Sequence, residues 1–233
     1  MGKTIISQAR GHGSFTYRVR RKAYKYKVSY PSLGTVGKAK VISLINSPAH
    51  SAPLAKIAMG EKTFYIPACQ NLFEGQEIEI GSSKIADGNI ICLRDATPNT
   101  KLFNIEIRPG DGGKIGRTSG NFATVLKAEK GRITILLPNK KEITLDENCR
   151  ATIGIIAGHG RILKPIVKAG KKWHMAKAKN RLWPRTSAVK VNAVDHPFGC
   201  GRGKRIKSKI AKRNAPAGAK VGHLKPRQTG VKK

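Results

Sequence analysis

Between residues 35 and 95 the apolar residues come in short runs, and none of them keeps a helical period. Val36 to Ile45, Leu54 to Met59, Thr63 to Pro67, Glu77 to Ile80 and Asn89 to Leu93 are rich in Val, Ile and Phe, and glycines 60, 75, 81 and 88 separate most of them. Such runs read as strands. Leu54–Met59 and Thr63–Pro67, joined through Gly60-Glu61-Lys62, read as a hairpin. Five short strands over 35–95 suggest a small OB-like barrel. A Pro/Asn linker covers 96–101, and the pattern then returns. Leu102 to Ile107, Phe122 to Ala128, Arg132 to Leu137, Glu142 to Leu145 and Ala151 to Ile156 read as five more strands, with turns at Glu129-Lys130-Gly131 and Pro138-Asn139-Lys140. Alternation is clearest at Ile133, Ile135 and Leu137. The size and turn spacing fit an SH3-like barrel over 102–165. Each unit is small for an independent core, so the two are expected to share an interface.

The flanks lack this pattern. In 1–34, Gly11, Gly13, Pro31 and Gly34 break regular elements, and basic residues alternate with aromatics from Phe15 to Lys27. Such an arm buries too little to order alone, and it is expected to order on RNA or DNA. Arg10, His12, Arg18, Arg20, Arg21, Lys22, Lys25 and Lys27 would make the contacts, with rings on exposed bases or sugars. Tyrosines packed on the body are the plainer alternative. The basic extension 166–233 begins with a short helix predicted within 168–182, ending before Trp183-Pro184. It carries Lys171, Lys172, Trp173, His174, Lys177 and Arg181, and Arg185 follows. Residues 199–233, with Arg202, Lys204, Arg205 and Arg213, have almost nothing to bury and read as an extended tail.

Charge sharpens the division. The 233 residues carry a net +33, distributed as +11 over 1–60, +1 over 61–150 and +21 over 151–233. A nearly neutral body lies between two cationic arms. So large a charge favours a polyanionic partner, with nucleic acid first. An anionic membrane surface comes second, and no apolar run is long enough to span a bilayer. The first residues have no apolar core suited to a signal peptide, and Ile6 stands where a myristoylation signal needs Ser or Thr. Cys69, Cys92, Cys149 and Cys200 form no CxxC pair, so neither a disulfide scaffold nor a zinc site is indicated, and the chain reads as cytosolic.

Two stretches carry candidate chemistry. Arg108-Pro109-Gly110-Asp111-Gly112-Gly113-Lys114-Ile115-Gly116-Arg117-Thr118-Ser119-Gly120 is a glycine-rich loop whose backbone N–H groups could reach phosphates. It is neither a P-loop nor a GxGxxG motif. Val191 to Arg205 holds Asn192, the only acid of the last 83 residues (Asp195), and His196, followed by glycines at 199, 201 and 203 that would let backbone approach another polymer. No HExxH, GxSxG or Cys/His set is present. The chain therefore reads as no enzyme and as needing no cofactor. The Asp195-His196 pair fits RNA contact better than catalysis.

Several long motifs together identify the chain by resemblance. Ser51-Ala52-Pro53-Leu54-Ala55, Gly110-Asp111-Gly112-Gly113-Lys114, Cys149 to Gly154, Lys164-Pro165 through Gly170, Val191 to Gly199 and Arg213-Asn214-Ala215-Pro216 occur in order along most of the chain. They resemble the universal large-subunit ribosomal protein family called L-two, in its archaeal/eukaryotic branch, and the lack of longer insertions favours an archaeal member. The resemblance implies an OB-like barrel followed by an SH3-like barrel, with both termini threading into large-subunit rRNA. It implies a role in subunit association, tRNA placement and organisation of the peptidyl-transferase region. The implied partners are rRNA, neighbouring ribosomal proteins and the small subunit across a bridge, with no membrane and no homo-oligomer. Mg2+ would enter only with bound rRNA. Asp195 and His196 fall at the tip nearest the peptidyl-transferase region, and Arg117 falls on an rRNA-contacting arginine. Ser119 and Lys114 lie in the same loop. His50 stands where the family has an arginine, and Cys200 where it has a glycine. The alternative function is a direct acid/base contribution to peptide-bond formation through His196.

Overall fold

Ile90 and Ile91 are adjacent and both fully buried, yet they belong to different hydrophobic cores. Successive side chains of a strand point to opposite faces, so one strand can wall two cores. The structure, a computed structural model, describes residues 2–19, 21, 23–129, 131–201 and 210–224. The strand in question is β5 (Ile90–Cys92). Before it come β1 (Gly37–Ile45), β2 (Leu54–Met59), β3 (Lys62–Pro67) and β4 (Glu77–Ile80). After it come β6 (Lys101–Phe103), β7 (Ala123–Glu129), β8 (Arg132–Leu136), β9 (Glu142–Asp146) and β10 (Arg150–Ile153). The ten hydrogen-bond as one sheet in the order β3-β2-β1-β4-β5-β10-β6-β7-β8-β9.

The chain is mainly β, as expected. Five strands and a core on either side of the linker are compatible with two small barrels. The first core gathers Val41, Ala55, Ile57, Ile66, Ile78, Ile80 and Ile90, and the second Leu93, Leu102, Ile105, Val125, Ile133, Ile135 and Ile153. The halves join through the antiparallel β5–β10 ladder, Arg150 opposite Cys92 and Thr152 opposite Ile90. In the β2–β3 hairpin Lys62 pairs with Met59, leaving a two-residue turn with Gly60 at φ +57°. Two strands stop short of their apolar pattern. β6 ends where Asn104 turns to φ +49°, and β10 ends at Gly154, φ +112°, where any Cβ would stand 2.5 Å from the Cys69 sulfur.

By its contacts the chain divides into two compact units, one of residues 21–167 and one joining the N-terminal residues through 20 to the segment from 168 onwards. Within the arm 1–34, expected to order on RNA or DNA, residues 23–30 pack on the first unit instead. Ala23, Val28 and Tyr30 are buried in the first unit, and the Ser29 N–H donates to the Tyr65 carbonyl at 3.1 Å. Pairing beside β3 at Tyr65 and burial of Tyr30 hold this stretch to the body. In the second unit a helix, α1 (Ile6–Gly11), forms where glycines predicted none. The Gln8 side chain caps the Ile5 N–H at 3.2 Å, and the left-handed turn comes only at Gly13. A four-residue helix α2 (Gly160–Leu163) belongs to the first unit, and the predicted basic helix forms as α3 (Ala169–Ala178) in the second. Ile210–Ala211 and His223–Leu224 pair as two short parallel strands.

Candidate nucleic-acid interface

Glu106 alternates with Ile105 and Ile107, a pattern that reads as a solvent-facing acid, but its side chain is fully buried. Its carboxylate accepts the N–H groups of Gly110 (3.2 Å), Gly112 (3.0 Å) and Arg150 (2.9 Å). It also pairs with the Arg150 guanidinium at 2.8 Å. Asp111 accepts the N–H groups of Ile107, Arg108 and Gly113 at 3.0, 3.4 and 3.0 Å. Burial raises the Asp111 pKa, but those N–H groups and the Lys114 ammonium outweigh it and hold the carboxyl below its ordinary value. The N–H groups of Lys114 and Ile115 both go to the Ile105 carbonyl.

The expectation that this loop's backbone reaches phosphates is therefore corrected. Two of the protein's own carboxylates already occupy the concavity that an anion would fill. Gly110 and Gly112 serve a close approach within the chain, since a Cβ would stand 2.9 Å from Leu33 at the first and 3.1 Å from Ser29 at the second. What the loop offers outward is Arg108, exposed, and the Lys114 ammonium, 3.5 Å from Asp111.

Arg117 and Ser119 also turn inward. Arg117 is half-buried and donates from Nη2 to the Val28 carbonyl at 2.9 Å, and burial lowers the guanidinium pKa from its ordinary value. Ser119 is fully buried; its N–H donates to Ser51 Oγ at 3.1 Å and its hydroxyl accepts from Arg161 Nε at 2.7 Å. His50 shares a hydrogen bond between Nδ1 and Ser47 Oγ at 2.8 Å and meets the Tyr24 ring edge-on at 5.5 Å. Arg21, Lys25 and Lys27 are exposed on the same unit, Lys25 lying 5.5 Å from the Tyr26 ring centre. A charge-assisted hydrogen bond contributes roughly 1.5–3 kcal/mol. Arg117→Ala is therefore expected to loosen the segment at Val28, with amide exchange at Ser29 accelerated about tenfold or more. Unchanged exchange there would mean that this bond does not hold the segment.

In the unit that contains both chain ends, α3 buries none of its residues. Ten-residue helices are ordinarily held by packing of an apolar face, so one without it points to an external partner. Lys171 and Lys172 are exposed. Lys177 Nζ lies 4.4 Å from the Trp173 ring, Lys172 Nζ 5.4 Å from Trp183, and His174 meets Trp173 edge-on at 4.9 Å. Arg10, His12, Arg18, Arg181, Arg185 and Arg213 are exposed. Arg18 sits 5.8 Å over the ring of Phe15, which is 91% exposed and open to stacking. Asn192, Asp195 and His196 come together in a closed turn, where the Asn192 carbonyl accepts the other two N–H groups. Cys200 holds φ +86°, a left-handed conformation that favours glycine, the residue expected there from the resemblance. Arg20, Lys22, Arg202, Lys204 and Arg205 lie outside the described residues.

Sequence reasoning missed Glu106, Arg161 and Lys3, the last of which lies 3.9 Å from Asp195. Glu106 carried a signal, a carboxylate inside an apolar strand pattern, whereas Arg161 and Lys3 were two cations among many. Burial pushes the Cys69 and Cys149 thiols up to about 11, so neither supplies a thiolate.

Comparison with known proteins identifies the family to which this chain belongs. Residues 86–218 match the family described as "Ribosomal Proteins L2, C-terminal domain". Relatives named "Large ribosomal subunit protein uL2" include one from Archaeoglobus fulgidus, 44% identical with all of both chains covered. Another, from Hyperthermus butylicus, is 42% identical with all of both chains covered, and one from Methanococcus maripaludis is 42% identical over 99% of each. With such identity sustained from end to end, the chain belongs to the L2 family of large-subunit ribosomal proteins, in its archaeal branch.

Proposed function

We propose that this protein is an rRNA-binding structural constituent of the large ribosomal subunit, acting in cytoplasmic ribosomes. The observation that carries the reading is α3, a lysine-rich helix with no buried residue, in a segment from 151 onwards whose 22 cations face one acid. Folding alone gives such a helix little reason to form. Phosphates satisfy its ammonium groups, and the cations beside Trp173, Trp183 and Phe15 suit sugars and unstacked bases.

The body of 21–167 serves as the rigid platform, and the exposed cations serve as the RNA-contacting groups. On this reading the protein supports subunit association and tRNA placement, with the Asp195-His196 tip directed to the peptidyl-transferase region, and catalysis stays with RNA. Neighbouring ribosomal proteins and the small subunit are the further partners, and any Mg2+ arrives with the rRNA. Among the described residues no helix is long and apolar enough to cross a membrane.

The reading is tested by sedimentation. The chain is expected to travel with large subunits and to be released by nuclease. Retention after complete RNA digestion, or absence from the large subunit, overturns it.

A further inference from the structure

The loop 191–200 closes on itself instead of opening its glycines outward. The Cys200 N–H donates to the Val191 carbonyl at 3.2 Å across the mouth of the loop, and the Gly199 N–H donates to the His196 carbonyl at 2.8 Å. Asp195 and His196 donate their N–H groups to the Asn192 carbonyl at 3.0 and 3.3 Å. The Phe198 N–H donates to His196 Nδ1 at 3.0 Å. Pro197 has no N–H, so every backbone donor from 195 to 200 is used inside the loop. A Cβ on Gly199 would stand 2.2 Å from the Asn192 oxygen, so glycine is what lets the two sides meet.

The N-terminal residues hold this loop from outside. The Lys3 N–H donates to the Val194 carbonyl at 2.8 Å, and a Cβ on Gly2 would lie 3.0 Å from that same oxygen. Lys3 Nζ stands 3.9 Å from Asp195 Oδ1. Gly2 and Lys3 thus meet the loop at its tip.

The Phe198 contact has a chemical consequence for His196. A ring nitrogen that accepts a hydrogen bond carries no proton, so the neutral imidazole has its hydrogen on Nε2. Among the described residues, the Phe198 bond is the only one at this ring. Nε2–H is therefore a donor without a partner within the described chain. The Asp195 carboxylate, adjacent in sequence and 3.9 Å from the Lys3 ammonium, offsets that cation, so the tip has no surplus positive charge to draw a phosphate. An uncharged acceptor on a base edge suits the pair.

We propose that residues 191–200 form a reading loop shaped before RNA arrives, latched by Gly2-Lys3, which presents His196 Nε2–H to an uncharged hydrogen-bond acceptor on an rRNA base. This rests on the rRNA-binding reading but can fail separately from it.

The test uses the full chain with 15N-labelled histidine. In the free protein, long-range proton–nitrogen spectra are expected to show His196 with its proton on Nε2, and the amides of 195–200 to exchange at least about tenfold slower than in an unstructured peptide. Gly2→Val presses a branched side chain on the Val194 carbonyl and is expected to abolish that protection and mix the tautomers. Lys3→Arg preserves both. Unprotected tip amides in the wild type, or a Gly2→Val spectrum identical to it, overturns the latch. His196→Phe keeps a ring but removes both the Nε2–H donor and the Nδ1 acceptor of Phe198, and is expected to weaken binding of a large-subunit rRNA fragment at least about fivefold; unchanged affinity removes His196 as the donor. Wild-type rRNA binding is measured in parallel. A protected tip without rRNA binding defeats the rRNA reading alone, and rRNA binding with an unprotected tip defeats the latch alone.

Discussion

Glu106→Ala is expected to destabilise the 21–167 unit by roughly 3–5 kcal/mol, because it leaves the Arg150 guanidinium buried without its counter-charge. The loss spreads beyond one pair. The Glu106 carboxylate also holds Gly110, Gly112 and the Arg150 N–H, and Arg150 Nη1 donates to the Pro31 and Ser32 carbonyls at 2.8 and 3.3 Å. Arg150 lies 5.2 Å from the Tyr30 ring, whose hydroxyl donates to the Asn104 carbonyl at 2.7 Å and hydrogen-bonds Thr152 at 2.7 Å. Burial pushes that phenol well above its usual pKa, so it remains a donor. One carboxylate therefore ties the loop, β10 and the Tyr30 segment together. For a unit of this size the melting temperature should fall on the order of 10 °C. Glu106→Gln keeps the acceptor oxygen but loses the charge and should fall between the two. Glu106→Ala combined with Arg150→Met should recover part of the loss, since removing both partners avoids the buried unpaired charge. A Glu106→Ala melting temperature within a degree or two of wild type would show that the pair does not organise this unit.

The strands were legible because period-two alternation with glycine punctuation is a local property. Ile133 and Ile135 face the core as their spacing requires, and β1 to β5 begin and end within a residue or so of their apolar runs. At 102–107 the same alternation is ambiguous. Asn104 and Glu106 occupy one parity there, which local reading assigns to water, yet both are fully buried. Alternation separates two faces of a strand, but it cannot tell solvent from a polar cluster formed by residues 44 positions apart, such as Glu106 and Arg150.

The interface divides in the same way. Net charge marks 1–60 and 151–233 as the cationic stretches, because charge is a property of composition. Which cations remain outward depends on tertiary partners. Arg117 and Lys114 look alike in the string of the loop, but one guanidinium is committed to the Val28 carbonyl and the other side chain reaches solvent beside Asp111. Ser119, in the same loop, is buried as the acceptor for Arg161. The glycines of 110–113 advertised open backbone donors, and only the folded chain brings Glu106 to fill them.

Affinity for large-subunit rRNA should fall steeply with salt. If about ten phosphates are neutralised, log K against log salt should have a slope near −7 to −9, which is a loss of about 10⁴ to 10⁵ between 50 and 200 mM. Enough outward cations exist for this without the loop: Arg10, Arg18, Lys171, Lys172, Arg181, Arg185 and Arg213 are exposed on the unit that holds both chain ends, and Arg21, Lys25, Lys27 and Arg108 on the other. A response nearly flat over that range would contradict the electrostatic account. Variants distinguish the contributors, because each phosphate-bound cation removed lowers the slope by about one. Lys171→Ala with Lys172→Ala should reduce its magnitude by about two. Arg117→Ala should weaken the fold near Val28 yet leave the slope unchanged, because its guanidinium is already satisfied by a carbonyl. A slope that falls by one in that variant would mean that Arg117 exchanges Val28 for a phosphate on the ribosome, and the inward geometry would then describe only the free chain.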